Sequence, residues 1–402
     1  MTNRKEKSVL ERLIDVNPEA EIWWDSSPII YNDWVKEVLG ELPDEDKEIV
    51  QKQLGEYYDP ENPENMLFKG VTTNPSLSMA VCEIQKSYWE NFADEQIANN
   101  PEIDKEGLYW LTYKEIVKRG AEMYMPLFKQ SNYKYGYISA QVDPRYIDDK
   151  EKMLEQAYDL VKISPNVMIK APGTKQGYEV IKILTSKGIA TNNTLSFIIP
   201  QFIACANAVQ EGLEIAKKNK VDLSTWRSVI TDMMARYGDL GKLIDKGLEK
   251  GIELSEAEVR WAEIAIIKKI HKILKDRNHP SKMLACSMRV SPPTTDNKSA
   301  VWHLEKIAGG NFVYTCPPKF IKSLILECDD LEFRDQIEEE VPKEVLDKLL
   351  KIPYFEQAYF EDGLAESDFI NHPSLSATAK EFSDRTYKMI DFVASRLDKK
   401  GN

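Results

Sequence analysis

Cysteine is scarce in this chain of 402 residues: there are five, and no two form a Cys-x-x-Cys pair. The spacing therefore indicates neither a zinc site nor a disulfide framework, and buried thiols are the expected state. The chain also has no run of 18 apolar residues, which argues against a membrane span. It has no Gly-x-Gly-x-x-Gly turn, which weakens a dinucleotide-binding interpretation.

Positive charge is in deficit, with 53 Lys and Arg against 66 Asp and Glu and a net charge of −13. This balance argues against nucleic acid or an anionic membrane as a partner. If the protein binds an anionic substrate, cations must therefore be concentrated locally. Residues 1–15 are highly charged and contain no apolar segment typical of a secretion signal, so we expect a cytoplasmic location.

Eight short apolar runs have the length and composition of buried strands. They cover residues 21–24, 68–72, 135–142, 167–170, 189–194, 228–233, 283–289 and 312–316. Most of them alternate with segments of helical periodicity, at 150–163, 177–185, 200–217 and a long helix running to Leu274. Ser255 and Glu258 have the spacing of a capping box, which predicts where that long helix begins.

Strands that alternate with helices predict an α/β fold with a parallel sheet. Eight repeats favour a closed (β/α)₈ TIM barrel over an open sheet. We predict one domain over residues 1–402, with an inserted helix and surface loop at 31–67 and a C-terminal helical extension at 319–402. Residues 79–134 are long enough for several more helices.

Lys170 closes the fourth predicted strand and is followed by a Pro-Gly turn. A lysine at the end of a buried strand loses water, which lowers its pKa toward neutrality. The neutral amine is a nucleophile that can form a Schiff base with a carbonyl. The alternative is a lysine that only extends its amine to solvent.

Other strands also end in polar side chains, and the active site of a barrel lies where strands end. The candidates are Asp25, Thr73, Asn74, Gln141, Asn192, Thr194, Thr231, Arg236, Ser287 and Arg289. Each has a structural alternative; Asp25 could cap a helix, and Asn74-Pro75 is a turn signal. Together they favour an active site.

The candidate residues suit one chemistry. A lysine imine is an electron sink that allows the adjacent C–C bond to break, and Asp25 is the carboxyl group best placed for proton transfer. Amides such as Asn74 and Asn192 can hold hydroxyl groups, and Arg236 and Arg289 can bind a phosphate. The sequence predicts an imine-forming aldolase that acts on a sugar phosphate.

The sequence at these strand ends resembles the transaldolase family. Gly70-Val-Thr-Thr-Asn-Pro-Ser-Leu77 resembles the signature of the family's second strand, and Met168-Ile-Lys-Ala-Pro-Gly-Thr174 resembles its Schiff-base strand. Val142-Asp-Pro-Arg145 and Asn192-Asn-Thr-Leu-Ser-Phe197 resemble the third and fifth strands. Order and spacing agree over about residues 22–324.

The resemblance implies a barrel of the class I aldolase type, with no metal and no organic cofactor. Lys170 would form the Schiff base, Asp25 would act as acid and base, and Thr194 would help to hold a catalytic water. Substrate hydroxyls would contact Asn74 and Asn192, with Thr73, Thr231 and Met233 also lining the site. The phosphate would be bound by Arg236, Ser287 and Arg289.

Two positions depart from the family pattern. Gln141 stands where most transaldolases have a glutamate that activates the water, and glutamine cannot accept a proton. Related fructose-6-phosphate aldolases also have glutamine there, but pair it with a tyrosine on the sixth strand, where this chain has Met233.

The prediction is a transaldolase of the pentose phosphate pathway that moves a dihydroxyacetone unit between sugar phosphates. The alternatives are an aldolase that releases free dihydroxyacetone, a sulfo-sugar transaldolase, and a barrel that binds a phosphosugar without turnover. Phosphorylated sugars are the expected partners, and a homo-oligomer is possible.

Overall fold

Eight parallel strands close into a barrel in a computed structural model that describes residues 4–292 and 300–398. The strands are β1 (Glu21–Trp24), β2 (Phe68–Thr72), β3 (Tyr137–Gln141), β4 (Val167–Pro172), β5 (Thr191–Thr194), β6 (Ser228–Met233), β7 (Lys282–Cys286) and β8 (Phe312–Cys316). Each strand pairs with its sequence neighbours, and β8 pairs with β1. The predicted (β/α)₈ TIM barrel is confirmed.

Helices connect the strands and cover the barrel. In the first half they are α1 (Val9–Val16), α2 (Tyr31–Glu41), α3 (Asp44–Tyr57), α4 (Pro75–Ile84), α5 (Lys86–Asn99), α6 (Lys105–Gln130), α7 (Lys150–Leu160) and α8 (Lys175–Thr185). Then follow α9 (Ile199–Lys218), α10 (Met234–Leu240), α11 (Leu243–Leu248), α12 (Glu256–Asp276) and α13 (Trp302–Glu305). The C-terminal part contains α14 (Pro318–Glu327), α15 (Lys343–Leu349), α16 (Pro353–Tyr359) and α17 (Pro373–Asp398). Short 3₁₀ turns lie at Pro28–Ile30, Pro144–Tyr146 and Glu366–Asn371.

The segment 31–67 contains two helices, α2 and α3, where the sequence predicted one helix and a loop. Leu42 is extended, with φ −88° and ψ 149°, because a residue that precedes proline is disfavoured in helical conformation. Both helices pack on the barrel through aromatic rings. Trp24 of β1 lies 5.0 Å from Trp34, and Tyr57 lies 5.2 Å from Phe68, measured between ring centroids. This packing supports the single-domain prediction, which stays a prediction.

The last helix, α17, crosses the carboxyl end of the barrel. It packs against α4 after β2, against the turn Pro144–Tyr146 after β3, and against α10 after β6. Arg396 near its end forms an ion pair with Asp94 of α5. The C-terminal extension therefore lies beside the predicted site.

All five cysteines are buried, as expected. Over residues 4–292 and 300–398, no helix is long and apolar enough to cross a membrane.

Candidate active site

Lys170 lies on β4, next to Gln141 of β3 and Asn192 of β5 in the register of the barrel. Its side chain is buried, and its Nζ donates a hydrogen bond to the Thr73 backbone oxygen at 3.0 Å. Burial lowers the pKa of Lys170, and the nearby carboxyl group of Asp25 partly opposes this shift. Near physiological pH the Lys170 amine is therefore neutral in a larger fraction of molecules than the amine of an exposed lysine is. The neutral amine is the form that acts as a nucleophile.

Asp25 follows β1, and its backbone N–H donates to the Cys316 oxygen of β8 at 3.0 Å. Its carboxyl oxygen Oδ1 accepts a 2.6 Å hydrogen bond from the Thr72 hydroxyl group. Burial raises the pKa of Asp25, while Lys170 and Thr72 oppose the rise. The pKa of the acid rises and that of the amine falls, so proton transfer at this centre becomes easier.

Asn192 is held inside the barrel from both sides. Its amide nitrogen donates to the Ser139 hydroxyl group at 2.8 Å, and its oxygen accepts from the Thr231 hydroxyl group at 2.8 Å. All three side chains are buried. Asn192 therefore has a fixed orientation, and Thr231 and Ser139 are the residues that fix it.

Two further predicted residues lie between β2 and α4. Asn74 is the N-cap of α4, and its side-chain oxygen accepts from the Leu77 backbone N–H at 3.0 Å. Asn74-Pro75, for which the structural alternative was a turn, therefore begins a helix, and the cap leaves the amide hydrogens of Asn74 available to a ligand. The Thr73 hydroxyl group donates to the Ser139 oxygen at 2.7 Å, which joins β2 to β3.

Gln141, Thr194 and Met233 are buried at the ends of β3, β5 and β6. The Gln141 side-chain oxygen accepts no hydrogen bond from any residue in the ranges 4–292 and 300–398. The Thr194 hydroxyl group lies 4.0 Å from the Met233 sulfur, a weak acceptor. Both oxygens retain capacity to bind a water molecule or a substrate hydroxyl group.

The two predicted phosphate-binding arginines are each paired with a carboxylate. Arg236 of α10 forms two hydrogen bonds with Glu381 of α17, at 2.6 and 3.1 Å. Arg289 donates to Asp239 at 3.1 Å and to the Ser287 backbone oxygen at 3.1 Å. Ser287 has φ 57°, a left-handed conformation that is rare for residues other than glycine and concentrates at functional sites.

Arg289 is connected to a buried polar network formed by His303, Glu263 and Arg260. The Arg289 backbone N–H donates to Nδ1 of His303 at 3.1 Å, so the His303 Nε2–H faces Glu263 at 2.8 Å. Arg260 continues the network, since it lies 2.9 Å from Glu263 and donates to Asp239 at 3.1 Å. Burial lowers the pKa of His303 well below its usual range. The backbone and the guanidinium of Arg289 are therefore both held in place.

The structure brings the predicted side chains together at the carboxyl end of the barrel, and their catalytic roles stay predictions. Sequence reasoning missed the residues that orient them: Thr72, Ser139, Asp239, His303 and Glu381. Thr72 and Ser139 carry a weak signal, because they are polar, pair with each other in the strand register, and lie within two residues of the predicted residues Thr73 and Gln141. Glu381 carries none, because 145 residues separate it from Arg236.

The opposite end of the barrel contains a cavity of about 630 Å³ whose lining includes His271, His279 and Lys282. In the described part of the chain, no three His, Cys, Asp or Glu side chains are arranged to hold a metal ion. We assign no chemistry to this cavity.

Residues 60–371, more than half of the chain, match the family described as Transaldolase/Fructose-6-phosphate aldolase. This chain belongs to that family. Family membership makes it an enzyme of the transaldolase and aldolase type. The matched region includes Lys170, Arg236 and Arg289, whereas Asp25 precedes it and α17 follows it.

Curated relatives agree with this assignment. The chain is 30% identical to a transaldolase of Trichodesmium erythraeum over 257 residues, which are 60% of this chain and 67% of the relative. It is 27% identical to a transaldolase of Mycobacterium tuberculosis over 267 residues, 63% of this chain and 70% of the relative. A transaldolase of Kocuria rhizophila is 32% identical over 182 residues, 45% of this chain, and the match spans about half of that relative (48%).

Proposed function

We propose that this transaldolase-family enzyme transfers a dihydroxyacetone unit from a ketose phosphate, such as fructose 6-phosphate or sedoheptulose 7-phosphate, to an aldose phosphate. The observation that carries the proposal is the buried Lys170 amine, whose pKa is lowered by burial and which is electrostatically coupled to Asp25. A buried amine beside a carboxyl group is the arrangement that imine chemistry requires.

The reaction begins with addition of the neutral Lys170 amine to the C2 carbonyl of the ketose. Loss of water leaves a protonated imine. Asp25 then accepts the proton of the C4 hydroxyl group, the C3–C4 bond breaks, and its electron pair moves toward the imine nitrogen. The aldose leaves with a new aldehyde group, and the three-carbon unit stays on Lys170 as an enamine.

Transfer is the reverse sequence with a different aldose. The enamine carbon attacks the acceptor aldehyde, Asp25 returns the proton to the new hydroxyl group, and water hydrolyses the imine. Thr194 and Gln141 would position that water, and Asn74 and Asn192 would hold the hydroxyl groups of the three-carbon unit. Thr73, Thr231 and Met233 would complete the substrate-binding walls.

The anionic end of the sugar would be bound by Arg236, Ser287 and Arg289. Guanidinium groups match phosphate and sulfonate geometry alike, so a sulfo-sugar is the alternative substrate. We also propose action in the pentose phosphate pathway and a cytoplasmic location. A homo-oligomer stays a prediction.

Gln141 favours a second candidate function, an aldolase that releases free dihydroxyacetone. Its amide cannot accept a proton as a glutamate would. Met233 is neither the phenylalanine usual in transaldolases nor the tyrosine of the fructose-6-phosphate aldolases. A paired assay with and without erythrose 4-phosphate separates the two functions. Transfer requires the acceptor, whereas free dihydroxyacetone formed from fructose 6-phosphate alone favours the aldolase.

The Schiff base is tested by trapping. Incubation with fructose 6-phosphate and borohydride should attach a three-carbon unit to Lys170, detected by peptide mass spectrometry, and Lys170→Met should abolish both the adduct and turnover. Lys69→Met is the matched control. Lys69 is another strand lysine with a pKa lowered by burial, and its amine donates to the Glu64 backbone oxygen. An adduct at another lysine, or full activity in Lys170→Met, would refute the proposal.

A further inference from the structure

One face of α17 is built around the side chain of Arg236. Three residues of this helix contact it, Thr378, Glu381 and Phe382, which are spaced so that they share one side of a helix. Glu381 forms two hydrogen bonds with the guanidinium, Thr378 lies at hydrogen-bond distance (3.5 Å), and the guanidinium stacks over the Phe382 ring at 5.5 Å. Arg236 is one of the two cations that the proposed function assigns to the anionic end of the substrate.

The pairing of Arg236 with Glu381 uses the same donors that a substrate anion needs. Two parallel N–H groups of a guanidinium bind a carboxylate or a phosphate in the same fork geometry. The Arg236 side chain is only 20% exposed, so solvent reaches little of it, while Glu381 is 46% exposed and can withdraw into solvent. An anion that binds Arg236 in this geometry must therefore displace Glu381.

Arg289 provides a contrast. Its partner Asp239 makes a single contact with the Arg289 guanidinium and is also held by Arg260. Asp239 belongs to α10, the same short helix as Arg236, and lies within the matched family region. Glu381 is instead brought in from beyond that region by α17. Competition at Arg236 is thus specific to the C-terminal extension.

We propose that Glu381 sets the affinity of the anion site, because it competes with the substrate anion for Arg236. This inference rests on the proposed function, and it names a residue that weakens binding of the anionic end of the substrate. Any anion that occupies the Arg236 fork must first break the pair with Glu381, so phosphate and sulfonate lose affinity by the same factor. A neutral sugar end does not need the fork, so its binding does not depend on the pair.

The first test measures binding without turnover. Inorganic phosphate and methanesulfonate are titrated calorimetrically into the parent protein and Glu381→Gln at pH 7.5. Because the pair is partly exposed, we expect about three- to fivefold tighter phosphate binding in the variant, and a similar gain for methanesulfonate. Asp384→Asn is the matched control, since Asp384 lies on α17 and pairs with Lys380. It should leave both affinities unchanged.

The second test measures kinetics. In Glu381→Gln, KM for fructose 6-phosphate should fall with kcat unchanged, whereas KM for unphosphorylated fructose should not change. In an Arg236→Gln background, the Glu381 substitution should have no effect on phosphate binding. Equal affinities in parent and Glu381→Gln, or equal gains in Glu381→Gln and Asp384→Asn, would overturn the inference. Tighter phosphate binding in a protein that forms no Lys170 adduct would leave the inference standing and refute the proposed function.

Discussion

At the level of single residues, the direction of the Asp25 carboxyl group depends on Thr72. The Thr72 hydroxyl group donates to Asp25 at 2.6 Å and also contacts the Thr315 hydroxyl group. These contacts join β1, β2 and β8 around the carboxyl group. Asp25 is therefore held in place on three strands, as proton transfer at a defined substrate oxygen requires.

Asp25→Asn should separate imine formation from C–C cleavage. The amide cannot accept the C4 hydroxyl proton, so cleavage should slow by about 10²–10⁴-fold. The Lys170 amine should still react. The Asp25 charge raises the pKa of Lys170, so its removal lowers that pKa and favours the neutral amine. Borohydride trapping with fructose 6-phosphate should then yield a six-carbon phosphosugar adduct on Lys170 instead of the three-carbon unit.

Thr72→Val is the companion variant for this prediction. It retains the carboxylate but removes its hydrogen bond, so cleavage should slow less than in Asp25→Asn. A three-carbon adduct formed by Asp25→Asn at the parent rate would show that another group accepts the proton.

At this scale, sequence reasoning finds a candidate where a polar residue lies near the end of a strand or directly after it, as for Lys170 and Asp25. It fails for the partners of the arginines. Arg289 and Asp239 are 50 residues apart, and Arg236 and Glu381 are 145 apart. Charged residues are numerous in this chain, and only the fold determines which of them meet.

At the level of secondary-structure elements, β1 and β2 approach closely because Gly70 has no side chain. Gly70 lies opposite Trp23 in the strand register, and a Cβ atom there would lie 2.5 Å from the indole ring. Trp23 is fully buried and its Nε1 donates to Glu21, so the ring cannot move away easily. The glycine that begins the family-like signature on β2 therefore also has a packing role.

Gly70→Ala should destabilise the protein by about 1–3 kcal/mol, as expected for overpacking of a tight core. Gly55→Ala is the matched control. Gly55 lies in α3 with no atom within 4 Å of the added Cβ, so alanine should stabilise by about 0.5–1 kcal/mol. Urea unfolding midpoints measure both. Equal stability of Gly70→Ala and the parent would show that Trp23 can shift at little cost.

Element boundaries were predicted well where local chemistry determines them. Four strands have the predicted bounds, and the capping box of Ser255 and Glu258 does begin α12. The seventh strand was predicted to reach Arg289 but ends at Cys286, because Ser287 takes a left-handed conformation. The apolar pattern does not encode that change of direction.

At the level of the whole molecule, Glu21 holds the amino end of the barrel together. It is 3% exposed and forms ion pairs with Arg227 at 2.7 Å and Lys282 at 2.8 Å. These residues join β1 to the segment before β6 and to β7. Although burial by itself raises the pKa of Glu21, the two cations lower it to about 2.

Acid should therefore remove part of the stability through Glu21. The folded pKa of about 2 lies below the ordinary value of 4.5, so the contribution is complete above pH 4.5 and is lost as the pH falls toward 2. The shift corresponds to about 3 kcal/mol in the free energy of unfolding. The parent should lose stability over this pH range more steeply than Glu21→Gln, which is less stable at pH 7. Parallel pH profiles from urea unfolding at pH 3–7 would contradict this.

The order of strands and helices, the closed barrel and the polar residues at the strand ends could all be predicted from the amino-acid sequence. These features depend on apolar periodicity and turn residues, which act over a few neighbouring positions. Three features could be seen only in the folded chain: α17 crosses the barrel, Glu381 meets Arg236, and Ser139 and Thr231 orient Asn192. Such contacts join elements far apart in the chain, so they depend on how the helices and strands pack.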